Sequence, residues 1–162
     1  MVSTKDNQLP NHLSQMVREK LAYANSTIPF LSTVVSEIDQ LANECKSIRT
    51  RLGAVDLTRH LEAGSDLYSD ELRAVENSAD ELCERLAECY QELKQVEGVR
   101  FEESRPQYVD FPLETEFGLI HFCWRLGETA VLHWHWSDET CEVRKTFSEF
   151  ENLSDIGSSL LA

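Results

Sequence analysis

The sequence predicts an α+β protein in which a long antiparallel helical hairpin, a coiled-coil arm, packs at its base on a small antiparallel β-sheet with a C-terminal β-hairpin. Three observations carry this. Apolar residues recur at alternating steps of three and four over 31–52 and again over 72–96, the period of a helical seam. After Gly98 the pattern changes to the alternation of extended chain. One segment, Leu119–Trp136, then gathers all three tryptophans and three of the five histidines around Gly127.

A chain of 162 residues suffices for one domain carrying a long helical extension. Its expected parts are a disordered N-terminus at 1–13, the arm at 14–98, the sheet at 99–145 and a polar tail at 146–162. The formal charge is −14, with 29 acidic against 15 basic residues, which argues against nucleic acid and anionic membranes as partners and favours a basic protein. No apolar run approaches the roughly 20 residues of a membrane span. Five cysteines, an odd number, and an N-terminus without an apolar core point to a reduced, cytoplasmic protein.

Within the arm, a short amphipathic helix is expected over Ser14–Asn25. Pro29 then either opens a new helix or kinks a continuous one, because it lacks an amide hydrogen. Leu31, Val34, Ile38, Leu41, Cys45, Ile48 and Leu52 form the first seam. The connector Gly53–Tyr68 can prolong that helix towards Gly64. Ser69 is the expected N-cap of the second helix, with Asp70 and Glu71 favouring its dipole. Leu72, Val75, Ala79, Leu82, Leu86, Cys89, Leu93 and Val96 form its seam, and Gly98 suits a left-handed cap. Folded back, the pair sets Leu52 near Leu72 and makes an arm of about 40 Å. Glu76, Asp80, Glu84, Glu88 and Glu92 make an acidic row, either a solvated face or a docking edge.

Beyond Gly98, extended structure is expected at Val99–Phe101 and at Tyr108–Phe111, closed by Pro112. The segments Leu119–Arg125 and Val131–Trp136 then form a hairpin. Pairing Trp124 with Leu132, Phe122 with Trp134 and Ile120 with Trp136 gives one continuous aromatic face. The other face then carries His121, Cys123, His133 and His135. A two-residue turn at Gly127-Glu128 would mix aromatics and histidines on both faces, so the longer turn is preferred. A weak helix is expected around Phe147–Leu153.

His121, Cys123, His133 and His135 are the candidate metal ligands, with zinc the candidate ion, since imidazole and thiolate are its usual donors. The competing reading is a half-exposed strand face that tolerates histidines around a small apolar cysteine. Arg125 and Glu128 suggest an ion pair that fixes the turn or a place for an anionic ligand; Asp138 and Arg144 suggest a second pair. No phosphate-cradling glycine loop occurs.

The run Cys123-Trp124-Arg125-Leu126-Gly127-Glu128, followed by Trp134-His135 and then Asp138 and Arg144, resembles a bacterial, planctomycete-like family of uncharacterised proteins, domain of unknown function 2203. Upstream, Val109-Asp110-Phe111-Pro112, Gly98-Val99 and Ala24-Asn25 with Pro29 resemble its segments in the same order. The chain departs from the pattern at Trp136 and Glu139–Val143, where the family has an acidic residue and a glycine-rich stretch. Aromatic residues are common there at the positions of His121 and His133, so the resemblance does not imply the histidine cluster. It brings no activity. The expected function is a non-catalytic interaction or assembly module, a homodimer through its heptad helices. Its recognition pocket would involve Trp124, Arg125, Glu128, Trp134, His135, Asp138 and Arg144. The alternatives are a metal- or small-ligand-binding protein and an enzyme of unknown class.

Overall fold

The computed structural model describes residues 11–59 and 66–147, with side chains over 15–55 and 69–147. Helix α1 spans Asn11–Arg59 and α2 spans Asp66–Lys94; strands β1 (Tyr108–Thr115), β2 (Gly118–Arg125), β3 (His133–Trp136) and β4 (Lys145–Thr146) follow. Together they make the α+β architecture of helical hairpin and small antiparallel sheet. No helix among the described residues is long and apolar enough to cross a membrane.

The chain divides into two compact units, 33–96 and the remainder. In the first, the seam positions Val34, Ile38, Leu41 and Cys45 of α1 are buried, as are Leu72, Cys89 and Leu93 of α2. The Arg85 Nε–H donates to Glu37 at 2.8 Å, and Leu52 and Leu72 line one pocket, so the helices run antiparallel. One detail differs from expectation: helix α2 begins at Asp66, which puts Ser69 inside its first turn rather than at the cap. Of the two alternatives at Pro29 the structure has the continuous helix, α1 running from Asn11 through the proline. One turn before the proline, the hydroxyls of Ser26 and Thr27 donate to the carbonyls of Tyr23 and Ala24, a local bonding that helix interiors accept near irregularities.

The second unit contains the start of α1 and the four-stranded sheet, in the order β1-β2-β3-β4 with every pairing antiparallel. Ile120 pairs with Trp136, His121 with His135, Phe122 with Trp134 and Cys123 with His133, the register that the aromatic pattern demands. Val109 and Phe111 add to the apolar face from β1, opposite Trp124 and Phe122. All are fully buried, and the Phe147 ring meets Phe122 edge-on at 5.5 Å. Val17, Ala24, Ile28 and Leu31 are the buried apolar positions of the helical segment in this unit.

The sheet departs from the sequence expectation at three places. Pro112 does not close β1, which continues to Thr115. The Asp110 N–H and C=O bond outward to Arg100, at 2.8 Å each, so residue 112, of the same parity on this edge strand, has no ladder hydrogen bond to lose. The return strand starts at His133, not Val131: the Asn25 side chain accepts the Val131 N–H at 2.9 Å and draws the chain off the ladder. Leu132 is therefore 52 % exposed instead of opposing Trp124. Val99–Phe101 is reduced to a single bridge between Arg100 and Asp110. Of the N-terminal disorder expected over 1–13, residues 1–10 lie outside the described residues, whereas Asn11–Leu13 belong to α1; of the helix expected around Phe147–Leu153, all but Phe147 lies outside them.

Phe122→Ala should cost about 3–5 kcal/mol in urea unfolding. Leu132→Ser should stay within about 0.5 kcal/mol, whereas a Leu132 packed on Trp124 would cost several times more.

Candidate functional site

Alternation along β1, β2 and β3 sends Asp110, His121, Cys123, His133 and His135 to the face opposite the aromatics. That face is buried: Cys123 is 0 % exposed, His135 1 % and His121 3 %. A 3₁₀ turn, Cys141–Val143, brings Cys141 onto it. One ligand atom each from Asp110, Cys123, His135 and Cys141 lies within 4.8 Å of the others. All five cysteines are free thiols.

The Nδ1 of His135 lies 2.7 Å from the Trp136 carbonyl. A carbonyl only accepts, so Nδ1 carries the hydrogen, and Nε2 is left facing Asp110 Oδ2 at 3.2 Å and Cys141 Sγ at 3.9 Å. The Cys141 sulfur is 3.7 and 3.8 Å from the two Asp110 oxygens. In a neutral ring Nε2 would turn its lone pair on a carboxylate. Either a proton or a metal ion must stand between them.

In the proton-held state the charges rearrange around that contact. Burial works against the imidazolium, but hydrogen bonds to Asp110, Cys141 and the Trp136 carbonyl push His135 up to about 10. Burial likewise opposes the Asp110 carboxylate, yet the neighbouring His121 imidazole and the hydrogen bond from His135 hold it well below the usual carboxylate range. Hydrogen bonding from Cys123 lowers Cys141 to about 6 despite burial, and Cys123 is raised by that same bond. Of the two, Cys141 is the more readily ionised. The His121 ring packs edge-on to His135 at 5.1 Å. Neither of its nitrogens has a hydrogen-bond partner among the described residues; Nδ1 stands 3.5 Å from Asp110 Oδ2.

The structure divides the residues singled out by sequence. His121, Cys123 and His135 come together, joined by Asp110 and Cys141, which sequence reasoning had not selected. The parity of Asp110 between inward Val109 and Phe111 was the available signal. His133 instead sits with Nδ1 3.5 Å from Glu128.

The hairpin tip forms a separate group. Gly127 has φ +96° at the third position of a turn closed by the Glu128 N–H to the Arg125 carbonyl at 2.9 Å, the place where such turns need glycine. The buried Trp124 donates its indole N–H to the Glu128 carbonyl at 2.8 Å. The Glu128 carboxylate accepts the Arg125 backbone N–H at 2.9 Å and Arg144 Nη1 at 2.9 and 3.0 Å. Arg144 therefore pairs with Glu128, not Asp138, and the exposed Arg125 side chain stands over the Tyr108 ring at 5.8 Å. Trp134 donates to the Thr146 carbonyl at 3.0 Å. Asp138 is exposed. Lys145 pairs with Glu139, which also accepts the Trp136 N–H. Two ion pairs, Glu128–Arg144 and Glu139–Lys145, thus pin the segment that carries Cys141.

Asp110, His121, His135 and Cys141 line a cleft with about 460 Å³ of empty volume, part of it open to solvent, lined also by Arg100, Arg105, Tyr108, Ser137 and Thr140.

Glu128→Gln should destabilise the protein by about 1–3 kcal/mol, because a mostly buried guanidinium loses its charged acceptor; chemical denaturation measures it. With a chelator present, pH dependence should isolate Asp110. Its depressed folded pKa contributes stability above the unfolded value of 3.8, so the gap between wild type and Asp110→Asn should be full above that pH and close below it. On the alkaline side His135 loses stability above 6.5 while Cys141 gains it up to 9.0, and the two offset.

Comparison with curated proteins and with solved structures finds no match. Over residues 20–147 the sequence matches the family described as "Uncharacterized conserved protein (DUF2203)". The match spans most of both the helical hairpin and the sheet with its buried cluster, and the chain accordingly belongs to the DUF2203 family.

Proposed function

We propose that this is a metal-binding protein whose centre is formed by Asp110, Cys123, His135 and Cys141, with zinc as the ion. The observation that carries the reading is the spacing of the donor atoms. With zinc about 2.0 Å from nitrogen or oxygen and about 2.3 Å from sulfur, tetrahedral edges are about 3.3 Å for N···O and about 3.5 Å for N···S or O···S. The corresponding separations are 3.2 Å for His135 to Asp110, 3.9 Å for His135 to Cys141 and 3.7 Å for Asp110 to Cys141. Closing onto an ion needs movements of only a few tenths of an ångström at these three atoms.

The surroundings favour the same reading. The His135 Nδ1–H bond to a backbone carbonyl is the outer hydrogen bond that orients most metal-ligating histidines. His121 lies beside Asp110 without a ligand atom in the set. Four protein ligands leave no open position, as in structural rather than catalytic zinc sites, so the proposed role is non-catalytic. The ion would tie β1, β2 and β3 to the turn at Cys141.

A second reading, assembly through the helices as a homodimer, is favoured by the chain invested in them, helices of 49 and 29 residues, and by the half-exposed seam residues Ile48, Leu52 and Val75. A single monomeric mass at high concentration in light scattering rules it out.

For the metal, elemental analysis of protein purified without metal-affinity steps should find one zinc per chain in wild type and far less in Cys141→Ser. Cobalt substitution should give intense thiolate-to-cobalt absorption that Cys141→Ser weakens. Adding zinc to the stripped protein at a thousandfold excess over Kd should raise stability by about 4 kcal/mol. No stoichiometric metal, together with no rise in Tm on adding zinc, copper or iron, would refute the reading.

A further inference from the structure

The cleft above the cluster has recognition groups that a metal centre does not use. Arg100 and Arg105 line it, and neither guanidinium has an ion-pair partner among the described residues. In a chain with 29 acidic residues against 15 basic ones, two uncommitted arginines lining one cleft are out of keeping with the surface around them. Their backbone is held in place. Arg100 faces Asp110 across a pair of 2.8 Å backbone hydrogen bonds, which puts both side chains on the same side of the sheet. Arg105 sits between two turns, its N–H bonded to the Glu102 carbonyl at 3.0 Å and its own carbonyl to the Tyr108 N–H at 3.1 Å.

The nearby carboxylates are mostly committed elsewhere. Asp110 is engaged by His135 and approached by Cys141, and Glu139 by Lys145 and the Trp136 N–H. Glu102 is exposed at the edge. Tyr108, Ser137 and Thr140 bring hydroxyl groups to the walls. At the floor His121, 3 % exposed, presents two nitrogens without hydrogen-bond partners.

We infer that this cleft binds a small oxyanion, a carboxylate or phosphate group, held by Arg100 and Arg105 above the Asp110–His135–Cys141 floor. Guanidinium forks match the planar oxygen pairs of carboxylates and the faces of phosphates, and bind them with charge-assisted hydrogen bonds. The cleft is small and partly open to solvent, so it suits a compact anion rather than a nucleotide. The recognition groups are distinct from the proposed metal ligands, so the inference stands apart from the metal reading.

Isothermal titration of the full chain as purified, with inorganic phosphate and separately with malonate, tests it, metal content being measured on the same sample. Wild type should bind at least one of the two, and the preferred probe names the source as phosphate or carboxylate. Removing one guanidinium should weaken binding roughly ten- to a hundredfold, and Arg100→Ala with Arg105→Ala should abolish it while Tm and metal content stay at wild-type values. Arg100→Lys with Arg105→Lys, keeping charge but losing the forks, should retain weakened binding. No binding of either anion by wild type at millimolar concentration overturns the inference, as does undiminished binding by the double alanine variant. Anion binding by a metal-free sample counts against the metal centre alone.

Discussion

The antiparallel pairing of β2 with β3, which sets Phe122 opposite Trp134 and Cys123 opposite His133, is the constraint on which the rest depends. Side chains alternate across a strand, so this one register decides both faces at once. Slipped by one residue, it would bury imidazoles among tryptophans and lift the aromatics out of the core. The apolar face gains the large burial of Trp124, Trp134, Phe111 and Phe122, and that gain holds the polar face in place on the other side.

Because the polar face is buried too, its groups have to satisfy one another. A carboxylate such as Asp110 is costly to remove from water unless charge or hydrogen bonds compensate. Here His135 compensates it, its own orientation set by the Trp136 carbonyl. The result is four convergent donors that hold either a proton or a metal ion. The ion pairs of Glu128 and Glu139, at positions that look like surface decoration, belong to the same arrangement, since they bracket the turn that delivers Cys141.

The helical unit follows simpler rules. Its seam is buried at Val34, Ile38, Leu41, Cys45, Leu72, Cys89 and Leu93 and only half-buried at Ile48, Leu52, Val75, Leu82 and Leu86, where fewer apolar contacts oppose local opening. The sheet, by contrast, concentrates its chemistry in side chains whose neighbours fix them from both sides. A cleft lined by two arginines that are unpaired among the described residues lies over that floor.

Much of the fold was legible in the order of residues. The three-four spacing announces the helices, the period-two aromatics announce the β2–β3 register, and Gly98 and Gly127 mark backbone of positive φ, because each depends on local geometry repeated along a segment. The site was legible only in part. His121, Cys123 and His135 follow from strand parity, but Asp110 is 25 residues from His135 and Cys141 arrives through a short 3₁₀ turn, and no local period reports such a meeting. Likewise Arg144 reaches Glu128 and Val131 reaches Asn25 by contacts across the fold that override nearer candidates. By itself, then, the sequence determined the elements, their faces and the register, which are properties of short-range stereochemistry and hydrophobic pattern. Only the tertiary structure decided which polar groups share a site, because that depends on how distant segments close over the sheet.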